Sequence, residues 1–156
     1  MERREIIIRL KSYFDIRELV SPDVYAYRGE LAWGEFDTRL LETTLALRVD
    51  ILKVPMIVND WKRGGVHTQR GFRENTCELV AKKTKAGIIY LTPHDGLAID
   101  FTSPKMTPDG IRKTIVANAK KLPHPIRLED GKSAPSWVHV DVRVDDFCKD
   151  KITWFG

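Results

Sequence analysis

Apolar residues fall at helical intervals through the first third of the chain and alternate with polar ones near its end. Ile6, Ile7, Leu10, Phe14 and Ile16 recur near a 3.6-residue period and predict an opening helix. Ser21-Pro22-Asp23 interrupts it. Trp33, Phe36, Leu40, Leu41, Leu45, Leu47 and Leu52 then predict a long amphipathic helix over 33–52, its stripe turned to a core. Val54 to Asp60 reads as a strand, with Pro55 near its start where a missing N–H is tolerated. Trp61 to Gly71, with three glycines and many charges, is a loop. Arg73 to Lys83 reads as a short helix, Gly87 to Leu91 as a strand and Leu97 to Thr102 as another. Thr107 is a helix N-cap with Pro108 in the first turn, and that helix should run to about Leu122, where Pro123 and Pro125 end it. Pro125 to Glu129 reads as an edge strand, Asp130-Gly131-Lys132 as a turn. Ser136 to Val144 alternates: Val138, Val140, Val142 and Val144 on one face, Trp137, His139, Asp141 and Arg143 on the other.

Helices first and strands later, with one helix inserted, predict an α+β fold: N-terminal helices packed on a small antiparallel sheet. A chain of 156 residues fits one domain, 1–156, with room for a core. No apolar run approaches the ~18–20 residues of a membrane span, so membrane insertion is not expected. Charges on both sides of Ile6-Ile7-Ile8 are unlike a secretory signal, so synthesis in the cytoplasm is expected. The two cysteines, Cys77 and Cys148, have no metal-type spacing and are expected to be reduced thiols. A net charge of +4 suits an anionic partner such as nucleic acid, anionic lipid or acidic wall polymer. The absence of a basic block interleaved with aromatics argues against specific nucleic-acid binding.

The candidate chemistry lies in Thr92 to Phe101, TPHDGLAIDF, and in Trp137 to Val142. In a strand from Leu97 to Phe101, Leu97, Ile99 and Phe101 point one way and Ala98 and Asp100 the other. His139 likewise faces away from the valines of its strand. Two strands of one sheet would then present Asp100 and His139 on one face, with His94 arriving from a turn shaped by Pro93 and Gly96. Two imidazoles and a carboxylate suit zinc, and catalytic zinc sites keep three protein ligands and one open position. The plainer alternative is that His94-Asp95-Gly96 is only a turn and His139 a half-exposed strand histidine.

Gln69-Arg70-Gly71-Phe72-Arg73, Thr92 to Phe101 and Trp137 to Arg143 together resemble the zinc D-Ala-D-Ala carboxypeptidase and phage endolysin family. Its superfamily also holds lysostaphin-type peptidases and the hedgehog domain. That family carries an Arg in a G-[FY]-R context, an S-x-H-x-x-G-x-A-x-D motif and a later strand His, in this order. The resemblance covers roughly residues 54–145. It implies His94, Asp100 and His139 as zinc ligands and Arg73 as the group that binds or polarises a substrate carbonyl or carboxylate. The family's catalytic acid or base lies shortly before the last His. Here Trp137 stands two before it, so Glu129 is the first choice and Asp130 the second; Asp141 is either another candidate or a partner of a ligand. His94 and Asp100 are six positions apart where the family has seven, so His94 reaches a metal only if the turn readjusts. The implied activity is zinc-dependent hydrolysis of amide bonds in peptidoglycan stem peptides, by a lysin released to the wall by a holin. The alternative is a non-catalytic wall-peptide-binding or phage structural protein of the same fold. The oligomeric state has no signature in the sequence.

Overall fold

The computed structural model describes residues 1–73, 94–144 and 148–156. The expected helix over 73–83 and strand over 87–91 lie outside the described residues, Arg73 apart. Among those described, four α-helices and a four-stranded sheet make an α+β fold. Helix α1, Arg3–Leu10, buries Ile6 and Leu10 and packs against the later helix Thr38–Ala46. Phe14 and Ile16 are also buried but lie beyond its end. Helix α2, Pro22–Arg28, starts where Ser21 caps Val24 N–H with Pro22 in the first turn.

The long helix expected over 33–52 is divided. Trp33 belongs to a 3-10 segment, Gly29–Glu35, and Phe36 to the extended link after it. Helix α3, Thr38–Ala46, begins only at Asp37, whose carboxylate accepts the Arg39 N–H, and it continues into a wider turn, Leu47–Ile51. Apolar spacing alone does not register a cap inside a continuous stripe. The strand expected over 54–60 is reduced to one bridge, Ile57 to Thr102, because its neighbours bond elsewhere: Asn59 N–H to Glu18 O and the Asn59 side chain to Val20 O.

Helix α4, Pro108–Ala117, has the expected Thr107 cap on Gly110 N–H. It sends Ile111 and Ile115 into the core and gives way to a 3-10 turn, Ala119–Lys121. The strands are β1, Ala98–Phe101, β2, Ile126–Glu129, β3, Val138–Asp141, and β4, Ile152–Phe155. Their order is β1-β3-β2-β4.

Two expectations about this sheet are corrected. It is mixed rather than antiparallel, because β4 runs parallel to β2. For the same reason β2 is an interior strand, covered on its outer side by β4.

One face of the sheet carries Ile99, Phe101, Ile126, Leu128, Val138 and Val140 into a single core with the helices. Side-chain alternation leaves Asp100, His139, Asp141, Arg127 and Glu129 on the other face. No helix among the described residues is long and apolar enough to cross a membrane. Cys148 is a free thiol, and Cys77 lies outside the described residues.

Candidate metal centre

Strand pairing brings the site together. Asp100 lies directly opposite His139, and Ala98 opposite Asp141. Asp100 N–H points outward to Arg70 O at 2.7 Å, while Val142 N–H bonds Leu97 O at 2.9 Å. Asp100 and His139 are therefore a non-hydrogen-bonded pair, the kind whose side chains approach most closely in an antiparallel ladder. His139 Nδ1 is 2.7 Å from Asp100 Oδ1.

His94 reaches the same carboxylate from its turn. Its Nε2 lies 3.3 Å from Asp100 Oδ2, and its ring centroid is 5.3 Å from that of His139. That turn passes through Gly96, whose φ of 104° is a left-handed conformation that glycine accepts. A side chain there would collide with the carbonyl oxygen of Glu35, and Gly96 O is held by Asp37 N–H at 2.9 Å.

Gly71 O, which can only accept, lies 2.8 Å from His94 Nδ1. Nδ1 therefore donates to Gly71 O, and Nε2, the atom facing Asp100, is the one through which the ring could bind a metal. The donor atoms of His94, Asp100 and His139 all lie within 4.8 Å of one another, and all three residues are buried. Ligands about 2.1 Å from a tetrahedral zinc stand about 3.4 Å apart, so the group needs little movement to take one. This buried His–Asp–His group could hold a metal ion.

Its surroundings are equally organised. His139 Nε2 is 3.0 Å from Asp141 Oδ2, and Asp141 is gripped by the Arg127 guanidinium through two 2.8 Å bonds and by Arg143 N–H at 3.1 Å. Arg127 also lies over the Phe155 ring, 4.5 Å from its centroid, and that ring meets His139 edge-on. Burial opposes charge on His139, but Asp100 and Asp141 outweigh it and push its pKa up to about 9. Burial likewise opposes ionisation of Asp141, and His139 and Arg127 hold it down at about 2. Asp100 too is held below the usual carboxylate range against its burial, by His139 and His94.

Arg73 lies beside this group. Its Nη2 is 3.5 Å from Asp100 Oδ2, its Nε donates to Gln69 O, and its backbone N–H donates to His94 O at 2.6 Å. Glu129 is on the site face, and continuing the β2–β3 register by one residue sets it across from His139. Burial pushes its pKa up; His139 opposes that shift and Asp100 adds to it. Asp130, in contrast, spends its carboxylate on a turn, where Oδ1 accepts Lys132 and Ser133 N–H at 2.9 Å each.

Three arginines matter that the sequence did not single out. Arg127 orders Asp141. Arg112, from α4, is buried and donates to Glu129 O, Ala134 O and Trp137 O, fixing the segment between Glu129 and His139. Arg70 is half-buried; desolvation pushes its pKa down against the charges of Asp100 and Asp60. Strand alternation signals Arg127; nothing in local spacing signals the other two.

No protein-family model matches the chain, and neither curated proteins nor solved structures give a match.

Proposed function

We propose that this protein is a zinc-dependent peptidase that hydrolyses amide bonds in peptidoglycan stem peptides, with the fold of the D-Ala-D-Ala carboxypeptidase and hedgehog superfamily. The observation that carries the reading is the buried His94–Asp100–His139 donor group, with Glu129 on the same sheet face and Arg73 beside it. His94 through Nε2, one Asp100 oxygen and His139 through Nδ1 would hold the ion, leaving a coordination position open to solvent or substrate. Bound zinc would supply a Lewis acid and lower the pKa of water toward neutrality.

The chain's own residues do the rest. Glu129, with its pKa raised by burial, accepts the proton of the attacking water and returns it to the leaving amine. Asp130 is the weaker candidate because its carboxylate already accepts two backbone N–H groups. Arg73 binds the substrate carbonyl or a terminal carboxylate with its planar fork. Asp141, held by Arg127, accepts His139 Nε2–H and so presents Nδ1 to the site.

The test is metal analysis of purified protein joined to digestion of purified peptidoglycan, with products identified by mass. One zinc per chain and released peptides are expected. Glu129→Gln should retain zinc and lose turnover by 100-fold or more, on the order of general-base contributions. A chain that takes up no zinc under metal-replete conditions would sink the enzyme reading and favour a wall-peptide-binding protein.

A further inference from the structure

We infer that Arg70 and Thr102 form a carboxylate-binding subsite beside the metal-binding group, reading an acidic group of the substrate one or two residues from the bond that is cut. The substrate part of this inference rests on the stem-peptide reading above.

Arg70 is fixed by its backbone at both ends. Its N–H donates to the side-chain oxygen of Asn59, itself buried, at 2.9 Å, and its carbonyl accepts Asp100 N–H at 2.7 Å. The guanidinium is therefore carried by the frame that also holds Asp100. Yet that guanidinium makes one hydrogen bond, Nη1 to Thr102 Oγ1 at 3.3 Å, and has no carboxylate within ion-pair distance among the described residues. Arg73 and Arg127 on the same face have acidic partners, at 3.5 Å and 2.8 Å. A guanidinium has five N–H donors, and leaving a half-desolvated one without a counter-charge costs stability. An incoming carboxylate would repay that cost with bidentate, charge-assisted bonds.

The position gives the spacing. Thr102 follows Asp100 by two residues, so the two side chains leave the same face about 6.6–6.8 Å apart. An extended peptide advances about 3.3–3.6 Å per residue. A substrate lying along β1 with its scissile amide at Asp100 would bring a group one or two residues away onto Arg70. Continuing the β1–β3 register by one residue sets half-buried Trp137 across from Thr102, an apolar flank for that residue's stem. Arg73 remains for the carbonyl at the reacting bond, so the two arginines read different parts of the ligand.

The test uses the full chain with zinc added, labelled with ¹⁵N and titrated with N-acetylglycine and, separately, N-acetylglycinamide, which differ only in the carboxylate. N-acetylglycine should move the Arg70 Nε resonance, identified by its loss in Arg70→Gln, and bind more tightly than the amide. Arg70→Gln should reduce that preference by about 10–100-fold, the usual worth of a charged hydrogen bond, and Arg70→Lys should restore part of it. An Arg70 resonance that N-acetylglycine does not move, or an undiminished preference in Arg70→Gln, overturns the subsite. Digestion of peptidoglycan by the wild type in the same buffer separates the two readings. An Arg70 response without digestion removes the stem peptide and keeps the carboxylate subsite; digestion without an Arg70 response does the reverse.

Discussion

Replacing Asp141 by Asn alters almost no volume but removes a charge on which four donors converge. Arg127 Nε and Arg143 N–H bond Oδ1, at 2.8 Å and 3.1 Å, and Arg127 Nη2 and His139 Nε2 bond Oδ2, at 2.8 Å and 3.0 Å. The Asp141 side chain is wholly buried, so water cannot fill in for it. Asn offers one oxygen and one NH₂, and whichever way it turns, the NH₂ faces donors.

Losing one or two charge-assisted bonds at ~1.5–3 kcal/mol each, discounted because Arg127 is 30% exposed and water can solvate it, leaves about 2–4 kcal/mol of destabilisation. In a domain of this size, that lowers the midpoint of thermal unfolding by about 5–15 °C. His139 also loses the acceptor that fixes its Nε2–H tautomer, which typically costs 10–100-fold in metal affinity, or ~1.4–2.7 kcal/mol. Chelator competition measures the affinity, and thermal unfolding without metal measures the stability. Zinc affinity within about twofold of wild type would mean that Asp141 does not orient a metal-ligating His139, and the chain of reasoning from Arg127 to the metal would fail.

Gly96→Ala should destabilise by more than about 2 kcal/mol, through the left-handed φ and collision with Glu35 O, and should weaken zinc binding because the turn carries His94; an unchanged melting temperature would contradict this. Arg112→Met should cost about 3–5 kcal/mol by leaving three carbonyls without their donor, with zinc affinity falling too, since the segment runs between Glu129 and His139. The metal-free protein should lose stability as pH rises. The folded His139 pKa, about 9, lies above the ordinary value of 6.5, so its contribution is complete below pH 6.5 and gone above about 9. The same proton competes with metal, so zinc binding near neutral pH should release it and tighten with rising pH over that window. Calorimetry in buffers of different ionisation enthalpy reads this directly, and an affinity flat between pH 6.5 and 9 would contradict it.

Side-chain alternation was enough to put Asp100 and His139 on one face and the valines on the other, because a strand has a fixed period of two whatever surrounds it. The Thr107–Pro108 start of α4 was legible for a similar reason: a cap is made within one turn. The boundary at Asp37 was missed because the apolar stripe runs through it. The last strand, Ile152–Phe155, has no alternating pattern that would announce it. Without it, β2 looked like an edge and the sheet looked antiparallel.

The sequence by itself therefore determined the α+β class, the polar face of the sheet and the residue types offered to a metal. Tertiary structure decided which of them meet. The Asp100–His139 contact depends on β1 and β3 pairing in a register that makes this a non-hydrogen-bonded pair. The reach of His94 depends on a Gly96 conformation packed against Glu35, and its tautomer on the carbonyl of Gly71, 23 positions away. Arg127, Arg112 and Arg70 acquire their roles the same way, from partners 11 to 32 positions distant. Local periodicity records the direction of a side chain relative to its own element. It holds no information on which carboxylate or carbonyl another element will bring within 3 Å, and that distance sets the charges and tautomers on which the chemistry depends.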